Sequence, residues 1–291
     1  REQMIAGVRQ RGDSPDALVS FMADSFAFSG HPYARSTLGT ERSLSRLTVA
    51  GLRRYHDEQI VKSRLLVAIV GNVPRAQIEQ LVARTLGTLP NGTYAWTLPD
   101  IVPGRAAGFA IEPRALPTNY LLGYYLGPPA GSKDYQALRV AAAVLSGQLF
   151  AEIRSRRNLT YAVDAPFVER AIASGGLYVT TVSPDTTLAL MREQIAALQQ
   201  GTIDHEALER LVQQFITEYF LNNETNAEQA NFLARAQLYR GDFRIADRFV
   251  DELRQVSPED VQRVARQYMR DVRFAYVGDS LRLSAQTMKG F

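Results

Sequence analysis

Two stretches of this 291-residue chain repeat one order of parts, and that repetition limits the folds open to it more than any single residue does. LTVAGLRRYHDEQIVKSRLLVAIVGN begins at Leu47, and VSPEDVQRVARQYMRDVRFAYVGD begins at Val256. Each offers a hydroxyl N-cap, an amphipathic helix, an apolar strand and then glycine. The caps, Thr48 and Ser257, lie 209 residues apart, and cap-to-glycine spans are 23 and 21 positions. Such units also recur by chance among mixed helix-and-strand proteins, so the repeat alone leaves both origins open. If it marks duplication, the second copy closes a domain that starts near Gly108. The first would then lack roughly a hundred residues ahead of Arg1, within the ordinary size of a domain.

The segment between the copies supports a division in two. PNGTYAWTLPDIVPG carries three prolines and several turn formers, which predicts an extended linker with Trp96 held against a neighbouring surface. The expected organisation is a first domain over 1–90, a linker over 91–107 and a second domain over 108–291. A chain of this length has ample material for two cores.

Within the first part, Ser14 and Pro15 restart a helix after Asp13, and Ser43 is read as capping a short helix. The apolar run RLLVAIVGN is read as a strand buried on both faces. Pro74 opens the next helix. Beyond the linker, GFAIEPRA, NYLLGYYLG and GGLYVTTVS are strands. Helices follow Ser132, Ser183-Pro184, Asp204 and Ser257-Pro258, the last with acids in its first turn. The stretch Leu138–Phe167 reads as a buried helix closed by Arg154, Arg156 and Arg157, then a turn and a strand. Leu159, Tyr161 and Val163 would share one face of that strand.

Chemistry is bounded mainly by what is missing. There are no cysteines, which removes disulfides, thiolate zinc sites and cysteine nucleophiles. His31, His56 and His205 fall in no HxxH, HExxH or HxxEH spacing, so no helix presents two imidazoles together. His31 reads as a loop histidine, and the other two as solvated. The net charge of +3 is spread over 33 basic and 30 acidic residues, with no cluster large enough for a nucleic-acid footprint. No apolar run is long enough to span a bilayer. By spacing alone, Arg154 is a cation favoured by a helix C-terminus and Tyr161 a packing residue.

Three runs change that assessment: HPYARSTLGTERSL, LLVAIVGNV and LRVAAAVLSGQLFAEIRSRRNLTYAVDA. They resemble the end of the N-terminal domain and the start of the C-terminal domain of the pitrilysin/insulinase zinc peptidases, the inverzincins. The resemblance extends over nearly the whole chain. It implies an α+β sandwich fold of two related domains, the first incomplete at its N-terminus. Each would be a mostly antiparallel sheet with helices packed on one face. In that family one domain supplies the HxxEH motif and a distant glutamate to zinc. The other supplies an arginine and a tyrosine, seven positions apart, that hold substrate near the scissile bond. Arg154 and Tyr161 match that pair within matching flanks. A guanidinium offers forked donors to a peptide carbonyl, and a phenol can donate to a developing oxyanion.

The N-terminus departs from the active pattern. REQMIAGVRQRGDSP resembles the family helix bearing the distant glutamate ligand, yet that position falls on or beside Arg9. Glu2 matches an earlier glutamate and would be a ligand only with the register slipped by two turns. A permanent cation at the ligand position opposes zinc binding. The resemblance therefore implies a member inactive on its own, with no catalytic residue and no cofactor bound by this chain. Arg154 and Tyr161 would be lent to a zinc-bearing HxxEH partner subunit, or to a homo-dimer, for peptide hydrolysis. No nucleic-acid partner and no membrane span are expected. A bacterial source is expected, in the periplasm ahead of the cytoplasm, with any signal peptide upstream of Arg1. Two alternatives stand beside this one: an active zinc metalloendopeptidase whose HxxEH lies upstream of Arg1, and a structural assembly subunit.

Overall fold

The computed structural model describes residues 1–100, 104–288 and 290–291. The linker expected over 91–107 lies in part outside them. On its described portion, the Trp96 indole donates to the Leu238 carbonyl at 2.9 Å, so the segment is tied to the far part of the chain.

The fold is an α+β sandwich built on one six-stranded, mostly antiparallel sheet. Its strands are β1 (Gly108–Pro113), β2 (Asn119–Pro129), β3 (Val163–Asp164), β4 (Phe167–Val168), β5 (Ile172–Thr181) and β6 (Arg273–Gly278). The order is β1-β6-β2-β5-β3, with β4 also on β5, and only the β1–β6 pair is parallel. Strand alternation assigns the two faces. Leu121, Tyr125, Leu177, Val179, Phe274 and Tyr276 face one core. Leu122, Tyr124, Ala275 and Val277 face another.

The first core is filled by helices of the same region: α6 (Asp134–Leu149), α7 (Pro184–Gln200), α8 (His205–Asn222), α10 (Phe249–Arg254) and α11 (Pro258–Tyr268). Leu138, Ala141, Leu145 and Leu149 of α6 are fully buried, because steps of three and four residues keep them on one side of the helix. Local signals set the ends. Ser257 and Asp260 form a capping box before α11, Thr225 and Glu228 form one before α9 (Asn226–Arg240), and Asp204 caps α8.

The second core joins the two ends of the chain. Helix α2 (Pro15–Ala27) follows α1 (Glu2–Asp13) and is capped by Ser14 with Pro15 at its first position. Its Val19, Ala23 and Ala27, with Phe28, lie on the opposite face of β2 and β6. Two polar bonds tie it to β5 and its flank. Arg170 pairs with Asp24 at 2.9 Å, and the Tyr178 hydroxyl donates to Asp16 at 2.7 Å.

The stretch after Phe28 contains α3 (Glu41–Ser45), α4 (Val49–Gln59) and α5 (Arg75–Thr85). Thr40, not Ser43, is the N-cap of α3; Ser43 completes the capping box from inside the helix. Thr48 caps α4, as its position before the helix implied. The expected strand in RLLVAIVGN does not form. From Leu65 onward that run has no helix or strand, and Leu66, Val67 and Ile69 are 43%, 46% and 50% exposed. Its counterpart β6 lies between β1 and β2 and bonds to both. The earlier run has no such neighbours among the described residues, and apolar content alone cannot replace a ladder.

Candidate functional site

Arg154 and Tyr161 do come together, by a local geometry unlike the helix and strand expected for them. Helix α6 ends at Leu149 and continues as a π-helical turn over Phe150–Arg156. Such turns insert an extra residue into the helical ladder and rotate the residues beyond it. Ile153 is fully buried in the main core, so the base of Arg154 is anchored by its neighbour. The turn closes with backbone bonds from Asn158 to Arg154 at 3.1 Å and from Leu159 to Ile153 at 3.0 Å. Asn158 has φ +51°, a conformation asparagine tolerates better than most residues.

Tyr161 sits in a bend, and the strand begins only at Val163. The cause is Thr160. Its buried hydroxyl bonds to the Ala162 and Thr180 carbonyls and accepts from the Ala162 amide at 3.0 Å. Local side-chain bonds of this kind compete with a ladder. They leave Tyr161 83% exposed, beside a fixed point.

The two side chains stack across the turn. The Arg154 guanidinium lies 5.0 Å from the Tyr161 ring centroid and 4.9 Å from that of Phe150. The neighbouring arginines behave differently. Glu152 takes Arg156 at 2.6 Å and Arg157 at 2.8 Å, which uses both its oxygens. Among the described residues no carboxylate pairs with Arg154. A cation held only by ring faces keeps its N–H donors available. Beside Phe150 an open groove of about 750 Å³ runs past Ser146, Asp164, Phe167 and Phe215.

The residues weighed for a metal are scattered, and Arg9 and His31 are already engaged. Arg9 is held by both oxygens of Glu41, at 3.1 and 2.9 Å, and this bond draws the Glu41 carboxyl below its usual range. His31 is buried, with Nδ1 accepting from the Tyr33 amide at 3.2 Å and Nε2 against the Asp100 carbonyl at 3.0 Å. That leaves no lone pair for a cation. His56 and His205 have exposed side chains. Among the described residues no three His, Cys, Asp or Glu side chains gather as metal ligands. The donor set of these residues does not fit zinc.

The description "Peptidase M16 inactive domain" matches residues 46–215, more than half of the chain. The chain belongs to this family. The M16 inactive domain relation agrees with the resemblance carried by the arginine-tyrosine flanks. A Mycobacterium bovis protein named as an uncharacterized zinc protease is 26% identical over 287 residues. The alignment covers 91% of this chain and 63% of that protein, so the chain spans less than two thirds of that relative's length. Human mitochondrial cytochrome b-c1 complex subunit 1 is 33% identical over 148 residues, covering 50% of this chain and 31% of that one. The crystal structure of a peptidase M16 inactive domain from Pseudomonas fluorescens superposes with a TM-score of 0.86 at 21% identity. That superposition covers 96% of this chain and 69% of that one, and it shows the shared fold.

The sequence reading missed Phe150, the second ring against Arg154, and it missed the π-helical turn. Asn158 was the one local signal available, since asparagine after a charged helical end often marks a left-handed residue.

Proposed function

We propose that this M16 inactive domain is the substrate-holding, non-catalytic part of a zinc peptidase whose HxxEH motif lies on a partner subunit. The observation that carries this reading is the Arg154–Tyr161 pair. It is stacked at 5.0 Å, has no acidic partner on Arg154 among the described residues, and is flanked by the buried anchors Ile153 and Thr160. Such a pair can donate to a peptide carbonyl and to the oxyanion formed when that carbonyl is attacked. The donor set of the described residues does not suit zinc, and on this reading the partner supplies the attacking group together with the metal. Peptide is the substrate class. The groove beside Phe150 is where the peptide continues away from the scissile bond.

The test is reconstitution. The chain is purified alone and together with an HxxEH-bearing M16 subunit, and hydrolysis of a quenched fluorescent peptide is followed. Activity is expected only in the mixture. Hydrolysis by the chain alone, with stoichiometric zinc, would overturn the proposal. The likeness to a cytochrome b-c1 subunit favours one second reading, an assembly subunit without proteolysis. Native mass spectrometry separates the two: a peptidase pair supports the first reading, and a larger assembly without hydrolysis supports the second.

A further inference from the structure

A cleft separate from the Arg154–Tyr161 pair opens where the C-terminus of α2, the segment leading into β1 and the turn from α11 into β6 meet. Its volume is about 600 Å³, within the range of small-molecule sites, and Arg105, Arg270 and Arg273 all line it. Ala27, Tyr124 and Leu126 give it apolar wall.

The arginines are held from behind. Arg273, the first residue of β6, stacks on the Phe26 ring at 3.8 Å. It also donates to the Phe26 and Ala106 carbonyls at 3.1 and 3.2 Å. Arg105 donates to the Ser29 carbonyl at 3.0 Å. Met269 and Val272 are buried, so the turn between them presents Arg270 and Asp271 outward. Asp271 takes φ +54°, the left-handed conformation that aspartate tolerates better than most residues, and this sharpens the turn.

Charge in the cleft does not balance. Arg105 and Arg273 meet backbone carbonyls, and among the described residues no carboxylate pairs with either. Burial first, and Arg105 second, pull the Arg273 guanidinium down, so the two cations stand close enough to oppose each other. The carbonyl end of α2 carries only about half a negative charge, against two full positive ones. Asp271 lies 3.9 Å from Arg270 and answers that cation alone.

Donors are in surplus too. A guanidinium carries several N–H groups, and the carbonyls occupy one nitrogen of Arg105 and two of Arg273. Arg105 and Arg270 are exposed and Arg273 is half-buried, so the remaining donors are open to a ligand in the cleft they line.

We propose that this cleft binds a small phosphomonoester. Forked guanidinium donors match phosphate oxygens, and a dianion answers the charge of Arg105 and Arg273 together, which a monocarboxylate would only halve. The cleft is far larger than a phosphate, and its apolar wall receives the organic part of the ester.

The test is isothermal titration of the full chain at about pH 8, where a phosphomonoester is a dianion, with phenyl phosphate, benzoate and inorganic phosphate. Phenyl phosphate is expected to bind at least about tenfold more tightly than either of the others. No binding of phenyl phosphate, or benzoate binding as tightly, overturns the proposal. Inorganic phosphate binding as tightly overturns the assignment to an ester. Arg105→Gln removes one cation from an exposed side chain and should weaken phenyl phosphate about tenfold. Arg84→Gln makes the same change of net charge at an exposed position outside the cleft and should leave the affinity unchanged. Unchanged affinity in Arg105→Gln, confirmed folded by circular dichroism, or equal losses in the two variants, also overturns it.

Discussion

The sharpest perturbation of the proposed site is Tyr161→Phe, because the structure separates its effect on folding from its effect on catalysis. Tyr161 is 83% exposed, so the ring contributes little to the core. Its stacking with Arg154 survives the change, and even complete loss of an exposed cation–π contact costs only about 0.5–1 kcal/mol. The unfolding free energy in urea should therefore stay within about 0.5 kcal/mol of wild type. In the reconstituted peptidase, removal of one oxyanion donor should lower kcat about 10²-fold, equivalent to about 2.7 kcal/mol. If the hydroxyl acts only in the transition state, kcat and kcat/KM fall together and KM is preserved. The neighbouring Ile153→Ala gives the opposite pattern. Ile153 is fully buried, so its truncation should cost about 2–5 kcal/mol of stability. A Tyr161→Phe variant that loses more than about 2 kcal/mol of stability, or keeps wild-type kcat in the active mixture, would refute the reasoning.

Three further expectations concern the scaffold. Asp24→Asn removes the charge that pairs with Arg170 at 2.9 Å between α2 and the β5 flank. It should cost about 1–2 kcal/mol in urea denaturation, moderated because both side chains are partly exposed. Burial first, and Asp24 second, push Tyr124 up to about 12; burial also pushes Tyr135 up to about 12. Their neutral forms are thus favoured by folding, so this stabilisation is complete below about pH 10 and is lost as pH rises from about 10 to 12. Urea midpoints across that range should fall, with tyrosinate absorbance appearing as the chain unfolds. Val67→Lys replaces a 46% exposed apolar side chain that faces no ladder partner among the described residues. It should change stability by under about 0.5 kcal/mol while reducing self-association in sedimentation velocity, since exposed apolar surface drives association.

How much could be read from the sequence depended on how local each cause was. The starts of α8 and α11 are visible because Asp204 and Ser257 act within three residues of themselves. Strands β2 and β5 are visible because both lie in one sheet whose two covered faces require long apolar runs. RLLVAIVGN has a composition like that of β6, but a strand depends on neighbours that composition does not specify. Alternation carries a strand reading straight through Tyr161. The Thr160 hydroxyl, which breaks the ladder there, looks like any strand threonine in sequence. The cleft between Arg105 and Arg273 is invisible for a different reason. Arg105 reads as the end of a linker and Arg273 as the start of a strand, and only the parallel pairing of β1 with β6 brings them to one wall.

The arginines of this chain carry the strongest argument for where its function resides. Arg9, Arg156, Arg157, Arg170 and Arg240 each meet a carboxylate oxygen within 3 Å, and each thereby fixes one element against another or against its own turn. An ion pair of that kind uses the donors it would need for a ligand. Arg154 lies among such residues, one position from a buried isoleucine, and its close partners among the described residues are two ring faces. Ring faces hold the guanidinium in place without occupying its hydrogen bonds, so little has to break when a carbonyl approaches. A purely structural arginine in that turn would gain by taking Glu152, which is shared by Arg156 and Arg157 instead. The π-helical turn is the feature that directs Arg156 and Arg157 to that carboxylate while Arg154 stacks on Tyr161. Removing the extra residue of the turn, by deleting Ala151, should therefore return Arg154 to an acidic partner and abolish substrate holding in the mixed peptidase. The deletion also turns the buried Ile153, so the urea midpoint should fall while circular dichroism shows the helices and sheet retained; a deletion variant with wild-type KM and kcat in the mixture would sink the idea.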